Sequence, residues 1–385
     1  MDLFYDQDKE TQEEFRRRVY EMKESLGWTW QDVADLINRE TNADYTESKY
    51  RKEFKKLSYE DPEEEPVDEL LELQKERVKI RDERVQTNAW IRKLAREDTI
   101  KEIAIETAKA IAEKKSLVPP SLIVRHENDE KEGILVISDW HYGIEVDNFL
   151  NVYNTAVCRR RVSNLQYEVF KIVDREGLNK IHVVDLSDLI AGRIHLQIRL
   201  QSRIDVVTQI MEVSEILAEF LSNLSQVVRV DYRSCLDNHS RIEPNKTDSL
   251  DLESLQRITP WYLKTRLKNY TEIEILDNTF GEDIISFTCL GHSVAGVHGD
   301  KDKPERVVEG LTLMTKNRFD LILTAHRHHP YMEEKNETLV VSNGSLMGTD
   351  SYARDLRLSS RPSQTMIIVS RENICDNLYI IKVDE

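Results

Sequence analysis

Five apolar runs from Ile134 onward lead into residues of types that can bind metals. Ile134 to Ser138 runs into Asp139-Trp140-His141, and Ile181 to Leu186 runs into Ser187-Asp188. Val228 to Leu236 leads to Asp237-Asn238-His239, Val294 to Val297 leads to His298-Gly299-Asp300, and Leu321 to Ala325 leads to His326-Arg327-His328-His329. Ligands of an α/β fold collect beyond the carboxyl ends of its strands, so polar residues in these positions converge on one place. Carboxylate oxygens mixed with imidazole nitrogens suit borderline divalent ions such as Mn, Fe, Zn, Ni or Co. A set of about seven ligands exceeds one tetrahedral ion and suits two ions sharing a carboxylate, which can lower the pKa of a shared hydroxide and clamp a phosphoryl group for in-line attack. A single histidine of this kind is more often a satisfied core or surface residue. Five coincidences at strand ends are not explained that way.

The elements that must position these residues follow a βαβ rhythm from Gly133 onward. Strands are expected at Ile134 to Ser138, Lys180 to Leu186 and Val227 to Tyr232, with helices at Thr155 to Arg175 and Gln197 to Leu224 between them. Further strands are expected at Glu272 to Leu276, Ile284 to Leu290, Ser293 to Val297, Leu321 to Thr324, Thr338 to Ser342, Thr365 to Ser370 and Leu378 to Val383, with a helix after Pro304. The pattern predicts a layered α/β sandwich with mixed sheets over residues 121–385.

The remainder reads as helical. Residues 1–60 predict three short helices: Gln12 to Leu26, stopped by Gly27; a second capped by Thr29; and a third capped by Thr46. In the third, Tyr50, Phe54 and Leu57 face inward while Lys49, Arg51, Lys52, Lys55 and Lys56 point elsewhere, an arrangement like a helix-turn-helix module laying cations on DNA. A small bundle with solvated lysines fits the same pattern. Residues 61–120 read as an acidic, proline-containing linker followed by a long arm from Leu70 to Lys115, whose thin stripe includes Val78, Val85, Trp90 and Leu94 and suits self-association into a homodimer.

The ordered set Asp-x-His, strand-terminal Asp, Asn-His, lone His and His-x-His resembles the calcineurin-like metallophosphoesterase superfamily over roughly Gly133 to Val383. Among its branches the chain looks most like phage and prophage phosphoesterases, and more distantly like SbcD-type DNA-repair exonucleases. The resemblance implies one metal held by Asp139, His141 and His328, a second held by Asn238, His298 and His326, and Asp188 bridging them. It implies that His239 binds no metal and instead protonates the leaving oxygen or stabilises the transition state. The family usually has glycine where this chain has Ser187, Asp237 and Ala325, and an acidic residue where it has Ser240. Arg241 and Lys246 follow the Asn-His pair closely enough to hold phosphate oxygens. The Gly- and Ser-rich segment from Asn343 to Tyr352 is expected as a lip of the site or a plain turn, His195 as a helix-surface residue, and His329 as a bystander. His298 is preferred to His292 because it ends its apolar run.

Composition limits the function classes. The chain has 385 residues, 32% charged and 39% hydrophobic, with 54 Lys and Arg against 71 Asp and Glu for a net charge of −17. That balance excludes a protein held on nucleic acid by bulk positive potential, so any DNA contact must be local. Cys158, Cys235, Cys289 and Cys375 form no paired spacing and read as buried free thiols in a reducing cytoplasm, the bacterial cytoplasm if the chain is phage or prophage encoded. An acidic start and the lack of an 18-residue apolar run predict no secretory signal and no membrane contact. The leading reading is a two-metal phosphodiesterase acting on DNA, with Mn as the first choice of ion. The alternatives are a phosphatase of nucleotides, cyclic nucleotides or phosphoproteins, and a non-catalytic DNA-binding or assembly protein.

Overall fold

Strands whose side chains are apolar on both faces need cover on both faces, and the chain supplies it in four layers. The structure, a computed structural model, describes residues 3–57, 72–88, 91, 117, 130–194 and 196–384. It divides into two compact units, Met1–Leu94 and Ala95–Glu385.

In the first unit, α1 (Gln12–Met22), α2 (Trp30–Thr41) and α3 (Glu47–Leu57) bury Phe15, Val19, Val33, Ile37 and Tyr50 against one another. Thr11 and Thr29 cap α1 and α2, each in a reciprocal exchange with an acidic residue three positions on, Glu14 and Asp32. Asn38 holds the turn into α3: it donates to the Tyr45 carbonyl at 2.7 Å and accepts from the Tyr50 hydroxyl at 2.6 Å. Residues 72–88 form a further helix, α4, whose side chains, including Leu73, Val78, Ile80 and Val85, are exposed. The acidic linker, Trp90, Leu94 and, apart from the exposed Ile91, the remainder of the expected arm lie outside the described residues, as does His195.

The second unit contains β1 (Lys131–Ile137), the hairpin β2 (Val146–Asn148) and β3 (Asn151–Tyr153), α5 (Thr155–Glu176), β4 (Lys180–Asp185), α6 (Leu196–Gln201), α7 (Val206–Leu224), β5 (Arg229–Ser234), α8 (Ile258–Arg266) and β6 (Ile273–Ile275). There follow β7 (Ile285–Cys289), β8 (His292–Gly296), α9 (Val307–Thr315), β9 (Leu321–Thr324), β10 (Tyr331–Lys335), β11 (Thr338–Ser342), α10 (Ser351–Asp355), β12 (Ser363–Ser370) and β13 (Asn377–Lys382). Among the described residues a six-stranded sheet runs β13-β12-β1-β4-β5-β6 and a five-stranded sheet runs β10-β11-β9-β8-β7. β1, β4, β5 and β6 are parallel, with Ile137 beside Asp185 and Asp185 beside Ser234, so their carboxyl ends line up.

Alternation along β1 shows the layering. Leu135 and Ile137 join the core beneath α5, α7 and α8, while Ile134 and Val136 join the core between the two sheets. A third core under α9 covers the outer face of the second sheet with Val307, Leu311, Ala295 and Ile322. This is the expected layered sandwich with mixed sheets. The single helix expected over Gln197 to Leu224 is two, because Asp205 caps α7 by accepting from Val207 and Thr208. The hairpin β2-β3, strand β10 and helix α8 were not expected; they are short or polar and carry weak periodicity.

Candidate metal centre

The expected ligands meet at the aligned carboxyl ends of the two sheets. Asp139, His141 and His328 form one group, and Asp188, His298 and His326 form another, with the ligand atoms of each group within 4.8 Å of one another. His141, Asp188 and His239 form a third group under the same limit, which joins the other two. His328 Nε2 lies 3.3 Å from Asp139 Oδ1 and 3.0 Å from His141 Nε2. His298 Nε2 lies 3.1 Å from Asp188 Oδ2, 3.0 Å from Asn238 Oδ1 and 3.2 Å from His326 Nδ1. All seven predicted ligands therefore converge. His292 does not join them: it starts β8 and its Nε2 faces the Ser370 carbonyl at 3.0 Å.

Backbone exchanges fix the loops that carry these groups. The amide of Asp139 donates to the Ser187 carbonyl and that of His141 to the Asp188 carbonyl, at 2.9 and 3.0 Å. Asp237 ties the next loop in. It accepts from the Asp188 amide at 3.1 Å, the Ser240 amide at 2.5 Å and the Ser240 hydroxyl at 2.8 Å. The segment from Asn343 onward is not an open lip. Asn343, Ser345, Leu346, Met347 and Thr349 are buried, and Ser345 Oγ donates to the Asp139 carbonyl at 2.9 Å. Its apolar residues fill the core behind Asp139 and its polar ones satisfy the loop.

Two hydrogen bonds determine which ring nitrogens face the cluster. A carbonyl only accepts, so His298 Nδ1, 2.7 Å from the Leu186 carbonyl, carries a proton, and the ring turns Nε2 toward Asp188, Asn238 and His326. His239 Nδ1 likewise donates to the Ala191 carbonyl at 2.8 Å, and its Nε2 stands 3.9 Å from Asp188 Oδ2. The orienting group that Ser240 cannot supply is thus a backbone carbonyl. Gly192 makes room for it: a Cβ there would stand 2.1 Å from the His239 carbonyl oxygen, and its φ is +74°. No sequence signal marked Ala191 or Gly192, because the contact joins two loops.

The electrostatics demand positive charge. Asp139 and Asp188 are fully buried, yet neighbouring histidines, His328 and His239 foremost, outweigh burial and hold both carboxyls below the usual range. Burial, reinforced by Asp188, pushes Asp237 up to about 6. At His298 burial is overridden by Asp188 and Asp139, and the imidazole is pushed up to about 10. Asp139 Oδ1 and Asp188 Oδ2 are buried without a hydrogen-bond donor among the described residues. Buried carboxylate oxygens without a hydrogen bond, among imidazole nitrogens, are a donor set that fits divalent cations.

The substrate candidates are placed differently. Arg241 Nε donates to the Asn238 carbonyl at 3.0 Å, and its Nη1 is buried without a hydrogen-bond partner among the described residues. Lys246 pairs with Asp300, two residues beyond His298, at 3.2 Å and is mostly exposed. Lys49, Arg51, Lys52, Lys55 and Lys56 are all exposed on α3, and Lys49 lies over the Tyr45 ring. A cavity of about 730 Å³ lined by Leu236, Ile242, Leu255 and Trp261 adjoins the Asn238 loop but contains none of the clustered histidines. Cys158, Cys235 and Cys289 are buried free thiols as expected, whereas Cys375 is partly exposed.

Residues 3–64 match the family described as the YonJ N-terminal domain. The chain is 26% identical over 381 residues to an SPbeta prophage-derived uncharacterized protein, YonJ, of Bacillus subtilis strain 168, covering 93% of each. Similar solved structures include an archaeal phosphodiesterase, 14% identical, covering 64% of this chain and 99% of that one with a TM-score of 0.33. They also include Vps29 in complex with zinc from Entamoeba histolytica, 11% identical, covering 64% and 88% with a TM-score of 0.31. A 5′-nucleotidase assignment from Staphylococcus aureus is 14% identical, covering 66% and 55% with a TM-score of 0.33. No helix among the described residues is long and apolar enough to cross a membrane.

Proposed function

We propose that this chain, which resembles the calcineurin-like metallophosphoesterases in its layers and its ordered ligand set, is a dinuclear-metal phosphodiesterase whose polymer substrate is DNA. The pair of donorless buried oxygens, Asp139 Oδ1 and Asp188 Oδ2, among five imidazoles carries the catalytic part of the reading. Asp139, His141 and His328 would hold one ion, Asn238, His298 and His326 the other, with Asp188 between them. Two divalent ions, Mn2+ in the first instance, would supply activated water and charge for a phosphoryl group.

The chain's own residues do the rest. With Nδ1 tied to the Ala191 carbonyl, the His239 ring is held in one orientation, and its Nε2 is the atom that carries a proton to the leaving oxygen. Arg241, anchored through Nε on the Asn238 carbonyl, keeps Nη1 for a phosphate oxygen. Lys246 stands further out in its pair with Asp300 and would meet the flanking phosphate. The exposed cations of α3 support DNA as the polymer, since elsewhere the balance of charge is acidic. The prophage relative supports a phage or prophage origin and a bacterial cytoplasmic setting.

The test is a panel offered to the full chain with Mn, Fe, Zn, Ni or Co: bis-p-nitrophenyl phosphate, p-nitrophenyl phosphate, duplex DNA and single-stranded DNA. Diester hydrolysis faster than monoester hydrolysis, with DNA cut, is expected. Monoester preference with intact DNA would favour the phosphatase of nucleotides or phosphoproteins, which the net charge of −17 suits. Inertness toward both chromogenic esters with every metal would leave a non-catalytic DNA-binding or assembly protein.

A further inference from the structure

A second cluster of ligating side chains lies at the other end of the sandwich. Glu132 stands near the start of β1, His182 near the start of β4 and Cys289 at the end of β7, whereas Asp139 and Asp188 follow the ends of β1 and β4. Strand parity directs all three into the core between the sheets, where Ile134, Val184 and Phe287 are their neighbours along the strands. Glu132 Oε2 lies 2.6 Å from His182 Nε2 and 3.4 Å from Cys289 Sγ, and the three ligand atoms fall within 4.8 Å of one another. His182 and Cys289 are almost completely buried.

We propose that Glu132, His182 and Cys289 form a separate zinc site of three protein ligands between the six-stranded sheet and the five-stranded sheet. A tetrahedral ion with Zn–S of about 2.3 Å and Zn–N and Zn–O of about 2.0 Å sets its ligand atoms roughly 3.3–3.6 Å apart. The sulfur-to-oxygen separation already has that value. The nitrogen-to-oxygen pair must open by several tenths of an ångström, which a rotation of the partly exposed Glu132 side chain supplies. One thiolate, one imidazole and one carboxylate form a set that selects zinc over the hard ions Mg and Ca, leaving a fourth position for water.

The surroundings supply the outer support that such a ligand histidine needs. Asp231 Oδ2 lies 3.5 Å from His182 Nδ1, on the side of the ring away from Glu132, and Lys180 fixes that carboxylate at 3.0 Å. A carboxylate behind the imidazole sets the tautomer that offers Nε2 to a metal. His182 Nδ1 has no completed hydrogen bond among the described residues, so a ring shift of a few tenths of an ångström is what lets it donate to Asp231. The candidate catalytic centre uses nitrogen and oxygen ligands only, so sulfur chemistry distinguishes the two sites.

The test uses the full chain freed of metal and reloaded with Co2+. Thiolate-to-cobalt charge-transfer absorption in the near ultraviolet is expected in the wild type and in Asp188→Asn, and its loss is expected in Cys289→Ser. With zinc, Asp188→Asn should retain one more ion per chain by mass spectrometry than Asp188→Asn combined with Cys289→Ser. Absence of the band from folded wild-type protein would overturn the site, as would its persistence in Cys289→Ser. The wild-type measurement decides the matter even if the serine variant fails to fold.

Discussion

Asp139, His141, Ser187, Asp188, His326 and His328 all adopt left-handed backbone, with φ between +46° and +70°. Aspartate and histidine tolerate this region better than most residues, but each such position costs about 1–3 kcal/mol. Ser187 takes φ +70° where the related pattern usually has glycine, and its hydroxyl and amide are both engaged, with Cys235 and Asp185. Strain concentrated on one cluster follows from turning seven donor groups toward one point. Asp188 belongs to two of the groups and stands 4.0 Å from His141 of the remaining one, so Asp188→Asn should abolish hydrolysis and lower the content of both proposed ions. His239→Ala should keep both ions and lose turnover by ~10²–10⁴, the usual contribution of a positioned proton donor. Equal loss of metal in the two variants, measured by mass spectrometry, would contradict these roles.

At the scale of elements, α3 and α4 carry exposed cations and exposed valines respectively. Changing Lys52, Lys55 and Lys56 on α3 to Ala should weaken duplex DNA binding and flatten its salt dependence, by about one log–log unit for each phosphate that a lysine no longer neutralises. Hydrolysis of a small chromogenic diester should not change, because that substrate does not need the helix. An unchanged salt slope would return α3 to a protein-binding or merely solvated role. On α4, Val78 and Val85 are 57% and 62% exposed and stand one heptad apart, the spacing of a self-associating seam. The full chain should sediment as a dimer at micromolar concentration, and Val78→Glu with Val85→Glu should yield monomer. A wild-type monomer would remove the dimer reading.

Removal of cations from the proposed metal centre should register on the whole molecule. Buried carboxylates at Asp139, Asp188 and Asp237 face one another, and cations that bind only the folded state stabilise it by mass action, about 2.7 kcal/mol when an ion stands at 100 times its Kd. Chelation should lower the thermal midpoint of the second unit by roughly 4 °C for each ion lost, since a unit of this size moves by under about 2 °C per kcal/mol. Restoring Mn2+ should recover it. Equal calorimetric midpoints with and without chelator would show that the cluster binds no ion tightly.

The sequence by itself determined every strand of the two sheets except β10, and the candidate ligand residues that gather at their ends. Strands buried on both faces must be apolar throughout, and a polar residue at the end of such a run is conspicuous; Ile134 to Ser138 before Asp139 is the clearest case. It likewise determined α1 and α2, whose capping pairs are local in the chain. Only the tertiary structure decided the orientation of His239, the buttressing of Asp139 by Ser345 and the meeting of Glu132 with Cys289. Those contacts join residues 48, 206 and 157 positions apart, and no periodicity along one strand encodes which distant carbonyl or thiol the register of another sheet brings beside it.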